Sequence, residues 1–200
     1  MDGYSTYPSH SNTARDAFGY ALDYYGGDYS PIGGTTNVSF EPTHSSATDW
    51  GAKDLYNGNI SGMHVGISGF TPTAYTFQYD QLNRLLGSQA HQGLNTTANQ
   101  WTGTTVTAAY GMRLSYDGNG NIKTLTRNGG VATNGTAMDN LTYNYVSGNA
   151  NRLDYIADAA SDAAYTGDLK NQKAGNYTYD QVGNIVTDSN YLPLRTNFIF

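Results

Sequence analysis

The sequence predicts an all-β fold, a ribbon of consecutive antiparallel hairpins forming a twisted or curved sheet, and three observations carry that expectation. A short phrase recurs in which a Tyr-Asp pair, a turn-forming segment and an aliphatic residue follow one another: Tyr79-Asp80-Gln81-Leu82-Asn83-Arg84-Leu85, Tyr116-Asp117-Gly118-Asn119-Gly120-Asn121-Ile122 and Tyr179-Asp180-Gln181-Val182-Gly183-Asn184-Ile185. Copies of one unit along a chain normally stack into an extended architecture. The residues before each pair alternate with the period of a strand: Tyr75, Phe77 and Tyr79 share one face and Thr76, Gln78 and Asp80 the other. Composition agrees, since Glu41 is the sole Glu among 16 acidic residues and Asp favours turns where Glu favours helices.

Taken in chain order, residues 1–52 are rich in Ser, Thr, Gly and Tyr, contain Pro8, Pro31 and Pro42, and read as irregular strands and long loops. Residues 53–188 read as the hairpin ribbon. It opens on a weak echo of the phrase, Tyr56-Asn57-Gly58-Asn59-Ile60, which keeps only the turn and the returning aliphatic. In the first full copy Asp80 opens a tight turn, Asn83 is the residue best suited to the left-handed conformation, and Leu85 restarts the chain in the returning strand. Leu114 and Tyr116 hold the apolar side of the second copy, where Asp117 opens the turn, Gly120-Asn121 fits a primed hairpin turn and Ile122 returns. Polar stretches at 87–105 and 127–139 are expected to project as loops. A degenerate copy follows, with Tyr145 ending its incoming strand, Val146 in place of Asp, and a longer run through Asn151 to Leu153 that predicts a longer loop. Residues 153–164 are Ala-rich, yet Asp154, Asp158 and Asp162 suit a strand followed by a turn. Tyr177 and Tyr179 lead into the last copy, with Asp180 opening it, Gly183-Asn184 as a primed turn and Ile185 returning. Residues 189–200 end in an apolar strand, Phe198-Ile199-Phe200, behind Pro193.

These copies resemble the YD-repeat, or RHS-repeat, family, whose signature runs approximately Tyr-Asp-x-x-Gly-Asn-Leu/Ile. The segment Asp16-Ala17-Phe18-Gly19-Tyr20, continuing to Gly33, also resembles a stretch upstream of the last repeats in bacterial members. The resemblance implies a bacterial protein of the cell surface or extracellular space, in which a ribbon of hairpins spirals into a hollow shell. This chain would be a segment of that repeat region.

Several function classes are disfavoured by the residues themselves. A net charge of -6 with only ten Lys and Arg leaves no basic cluster to neutralise phosphates, so nucleic acid is not an expected partner. No apolar run approaches a membrane span, and the first residues lack the features of a secretion signal. Cysteine is absent, which removes disulfides and thiolate metal sites. His10, His44, His64 and His91 are scattered without metal-ligand spacing. Asp117-Gly118-Asn119-Gly120-Asn121 starts like a calcium loop, but Ile122 and Asn128 stand where Gly and Glu are needed. Gly66-Ile67-Ser68-Gly69 falls short of a nucleophile elbow. No catalytic residue, cofactor or metal is therefore expected. Asn-x-Ser/Thr sites begin at Asn37, Asn59, Asn95, Asn134, Asn140 and Asn176, as so Asn-rich a chain produces by chance.

The expected function is a non-enzymatic extracellular scaffold that self-associates into an oligomer or filament. A short ribbon leaves unpaired backbone at its edges, and another copy can cover it. Phe198, Ile199 and Phe200 are expected to pair with a neighbouring copy, since Phe198 and Phe200 share one face and no side chain among the three is charged. The alternatives are a surface adhesin that binds a glycan through Tyr-rich faces or loops, and a degraded gene fragment without an independent role. Tyr79, Tyr116 and Tyr179 are expected to be largely buried at equivalent places in successive hairpins.

Overall fold

A computed structural model describes residues 17–26, 28, 52–95, 100–132, 135–149, 151–161, 165 and 167–189. Among them the chain is all-β, with no helix and ten strands: β1 (Phe18–Asp23), β2 (Gly62–Ile67), β3 (Thr73–Tyr79), β4 (Leu85–Asn95), β5 (Gln100–Tyr116), β6 (Ile122–Ala132), β7 (Gly135–Tyr145), β8 (Leu153–Asp158), β9 (Tyr177–Tyr179) and β10 (Ile185–Asp188). Strands β1 to β8 form one antiparallel sheet in chain order, and β9 pairs with β10 in a second. The calls on Phe198, Ile199 and Phe200 lie outside the described residues.

The stretches expected to project as loops are instead mostly strand. Residues 87–95 and 100–105 extend β4 and β5, while 127–132 and 135–139 extend β6 and β7. An antiparallel strand can keep one face in water, so polarity alone did not mark a loop. Irregularity survives as register shifts between Arg127 and Asn128 and between Asn128 and Ala132.

The chain divides inside β5 into two compact units, residues 1–111 and 112–200. In the first unit the buried face is not the aromatic one. Tyr75, Phe77 and Tyr79 are half-buried, whereas Ala74 and Thr76 on the opposite face are enclosed. Register extends that face across four strands, because Ala21 pairs with His64, His64 with Ala74, and Ala74 with His91. Ala52 reaches over from the segment before β2 to pack on Ala74, joined by Leu94. Small side chains let covering backbone approach closely, and a tyrosine there would have to bury its hydroxyl.

The second unit buries Leu141 on β7 and Ile156 on β8. Beyond β8 the chain turns back alongside it. The Gln172 backbone N–H donates to the Ile156 carbonyl at 3.0 Å, and its side-chain oxygen accepts the Ile156 N–H at 2.9 Å. One buried glutamine thus satisfies both backbone groups of a core residue that would otherwise be stranded.

Candidate functional site: the stacked hairpin turns

The motif tyrosine pairs with the returning aliphatic residue in every copy: Tyr79 with Leu85, Tyr116 with Ile122, Tyr145 with Leu153 and Tyr179 with Ile185. A register shift sits beside each pair. The four tyrosines therefore occupy equivalent places, but half-buried rather than largely buried. Leu85, Ile122 and Leu153 are likewise half-buried, and Ile185 is exposed.

The turns differ from the primed type expected at Gly120-Asn121 and Gly183-Asn184. Positive φ falls on one residue of each turn, Asn83 at 62°, Gly120 at 90° and Gly183 at 98°. Those residues donate their N–H to the carbonyls of Asp80, Asp117 and Asp180, three positions back. The Asp N–H then bonds the carbonyl of Arg84, Asn121 or Asn184. This is the three-residue loop in which a left-handed residue forms a bulge, and the bulge accounts for the register shifts.

The carboxylate organises each loop from within. Asp80 Oδ1 accepts the N–H groups of Leu82 and Arg84, both at 2.9 Å, while its Oδ2 accepts Arg84 Nε at 2.6 Å. Asp117 repeats the pattern with the N–H groups of Asn119 and Asn121 and with Asn121 Nδ2. Asp180 does so with Val182, Gly183 and Asn184, and with Asn184 Nδ2. These bonds hold the three carboxyls below the usual carboxylate range, led by the Arg84 backbone for Asp80 and by the Asn121 and Asn184 side chains for Asp117 and Asp180. The Asp117 oxygens are engaged by their own turn. Val146 offers no carboxylate, and in its loop the Val146 and Arg152 N–H groups bond the carbonyls of Arg152 and Asn149.

Two contacts then tie one turn to the next. The Tyr79 hydroxyl donates to the Ile60 carbonyl at 3.0 Å, Tyr145 to Ile122 at 2.7 Å and Tyr179 to Leu153 at 2.8 Å. In each case the acceptor is the returning aliphatic of the preceding turn. Burial raises the pKa of Tyr79 and Tyr145, so both phenols stay protonated and remain donors. The second contact is an asparagine rung. Asn57 and Asn59 both direct Nδ2 to Asn83 Oδ1, at 2.8 and 3.2 Å, and Asn119 and Asn121 do the same to Asn151 Oδ1, at 3.4 and 3.2 Å. Asn-Gly-Asn-Ile strings at 57–60 and 119–122 donate; Asn-Arg-Leu strings at 83–85 and 151–153 accept. That alternation was present in the sequence, but the single motif concealed a period of two hairpins. Arg152 also stands over the Tyr179 ring, 5.4 Å from its centre.

A separate polar cluster lies on the enclosed face of the first unit. His64 Nε2 meets Asp23 Oδ2 at 2.5 Å, and Thr76 Oγ1 lies 3.1 Å from His91 Nε2. Desolvation lowers the pKa of His91. Nothing in the spacing of Asp23, His64, Thr76 and His91 announces the cluster, because cross-strand register assembles it. No family model matches the chain, and neither the curated proteins nor the solved structures offer a significant match to it.

Proposed function

We propose that the chain is a non-enzymatic scaffold, a segment of a YD-repeat shell of the bacterial surface or extracellular space that self-associates through its sheet edges. The observation that carries the reading is the repeated stitch between turns: Tyr79, Tyr145 and Tyr179 each spend their hydroxyl on a carbonyl of the preceding turn. The motif carboxylates are likewise engaged within their own loops, so the recurring chemistry of the phrase serves architecture rather than a substrate. Outer strands favour continuation of the stack. On β1 Phe18 and Tyr20 are 64% and 60% exposed, and on β10 Ile185 and Val186 are both 55% exposed. Exposed apolar edges are templates for another copy. Sedimentation velocity and negative-stain microscopy of the purified chain test this, with oligomers or filaments expected. A monodisperse monomer at every concentration overturns it.

One observation favours the adhesin as a second reading. Tyr25 and Tyr56 stack with ring centres 4.8 Å apart and an interplanar angle of 25°, and Tyr56 is 76% exposed beside Asp54. An exposed aromatic platform with carboxylates at its rim suits a sugar ring. Glycan-array binding that Tyr56→Ala abolishes, seen with a chain that does not assemble, would put this reading first.

A further inference from the structure

Strand register in the second unit brings two aspartates to one face. Asp139 on β7 stands opposite Arg127 on β6, and Asp158 at the end of β8 stands opposite Leu141, two residues beyond Asp139. A third aspartate arrives on the chain after β8. Gly129 lacks a side chain where the Tyr165 ring lies, since a Cβ there would fall 2.5 Å from that ring, and the Tyr165 hydroxyl donates to the Gly130 carbonyl. Lys170 then bonds the Tyr165 carbonyl at 3.2 Å and Asp168 Oδ1 at 2.7 Å, fixing Asp168 over the sheet.

Each of Asp139, Asp158 and Asp168 offers an oxygen within 4.8 Å of the other two. Two cations already serve this group, Arg127 at 2.5 Å from Asp139 Oδ2 and Lys170 on Asp168. Among the described residues, three carboxylates stand here against two cations, which leaves one negative charge. Independently of the charge count, the Asp139 side chain has no solvent exposure, and Asp139 Oδ1 and Asp158 Oδ2 are buried with no hydrogen-bond donor. The other Asp158 oxygen is satisfied by the N–H groups of Asn140 and Ala160. Bare buried carboxylate oxygens are costly, and a bound cation with its coordinated water satisfies them and the residual charge together.

We propose that Asp139, Asp158 and Asp168 bind a divalent cation, with calcium the best fit. Calcium takes oxygen ligands at about 2.3–2.6 Å, so two ligands of one ion stand at most about 4.6–5.2 Å apart, and the three oxygens, all within 4.8 Å of one another, fall inside that limit. Magnesium requires a tighter octahedron, and an all-carboxylate set lacks the nitrogen and sulfur that zinc prefers. The ion ties β7 and β8 to the segment carrying Tyr165 and Asp168, and so fastens the connection between β8 and β9.

The full chain, stripped of metal with a chelator, is titrated with calcium chloride and separately with magnesium chloride. Heat of binding and melting temperature are followed, with tyrosine-sensitised terbium luminescence as a direct probe. Calcium at about 1 mM, enough to occupy a weak extracellular-type site, should raise the melting temperature by about 1–5 °C, and magnesium by less. Asp158→Asn should lose the calcium response. Gly129→Ala removes no carboxylate but displaces Tyr165, and should weaken calcium binding several-fold. Absence of both calcium heat and terbium luminescence in the wild type overturns the proposal, and so does an undiminished calcium response in Asp158→Asn. Stabilisation of the stripped wild type by acid with no effect of calcium would assign the bare oxygens to a shared proton and equally overturn it.

Discussion

At the residue scale, one hydroxyl and one dihedral angle carry most of the repeat. Tyr145 differs from phenylalanine by the single bond it donates to the Ile122 carbonyl at 2.7 Å. Tyr145→Phe should therefore cost about 0.5–1.5 kcal/mol in denaturant unfolding while leaving the sheet intact by circular dichroism. An unchanged unfolding midpoint would mean that water replaces the bond without loss. Gly120 poses a different problem, since no atom lies within 4 Å of where its Cβ would stand, but its φ is 90°. Space is available and backbone strain alone penalises a side chain. Gly120→Val should cost about 1–3 kcal/mol, whereas Gly120→Asn should cost less, because Asn83 already fills the equivalent position at a φ of 62°. Equal losses for Val and Asn would count against the left-handed assignment.

At the element scale, each Asp-led turn depends on an ionised carboxylate. Hydrogen bonds from the turn hold Asp80, Asp117 and Asp180 below the usual carboxylate range in the folded chain. A depressed carboxyl contributes stability above its unfolded pKa and loses it as pH falls through the folded one, so the turns should weaken below about pH 4. His91 acts earlier. Burial depresses its pKa, so its neutral form is favoured by folding, and stability should begin to fall below about pH 6.5 as the unfolded imidazole takes up protons. Melting temperature against pH should thus show two declining limbs, and His91→Gln should reduce the upper one. A profile flat from pH 7 to 5 in the wild type would contradict the role given to His91. Cross-strand hydroxyl pairs, Ser115 with Thr124 and Thr178 with Thr187, each at 2.5 Å, recur at the same place in two hairpins and should be indifferent to this titration.

At the scale of the whole molecule, the proposed self-association turns on the sheet edges. Phe18 and Tyr20 lie on β1, whose partner among the described residues is β2 alone. Replacing both with Lys places charge on an outer strand, the means by which natural sheets discourage pairing. The double variant should sediment as a smaller species than the wild type at the same concentration, with unchanged β-type circular dichroism. Assemblies of undiminished size would move the contact to β10 or to residues outside those described.

The all-β class, the hairpin order, the equivalence of Tyr79, Tyr116, Tyr145 and Tyr179, and the longer loop before Leu153 were legible in the sequence by itself. Each rests on local chemistry: strand alternation, an Asp that bonds the backbone a few residues on, and a Gly or Asn that tolerates positive φ. The sequence also misled where polarity stood in for structure, as in the long strands β4 to β7, and where aromatic content stood in for burial. Tertiary structure alone decided which face is enclosed, because Ala74, Thr76, His64 and His91 carry no hydrophobic period and meet only through register. It also decided the asparagine rungs and the meeting of Asp139, Asp158 and Asp168, which join residues that are distant in the chain. Side-chain period identifies a strand, but only pairing determines which side chains become neighbours.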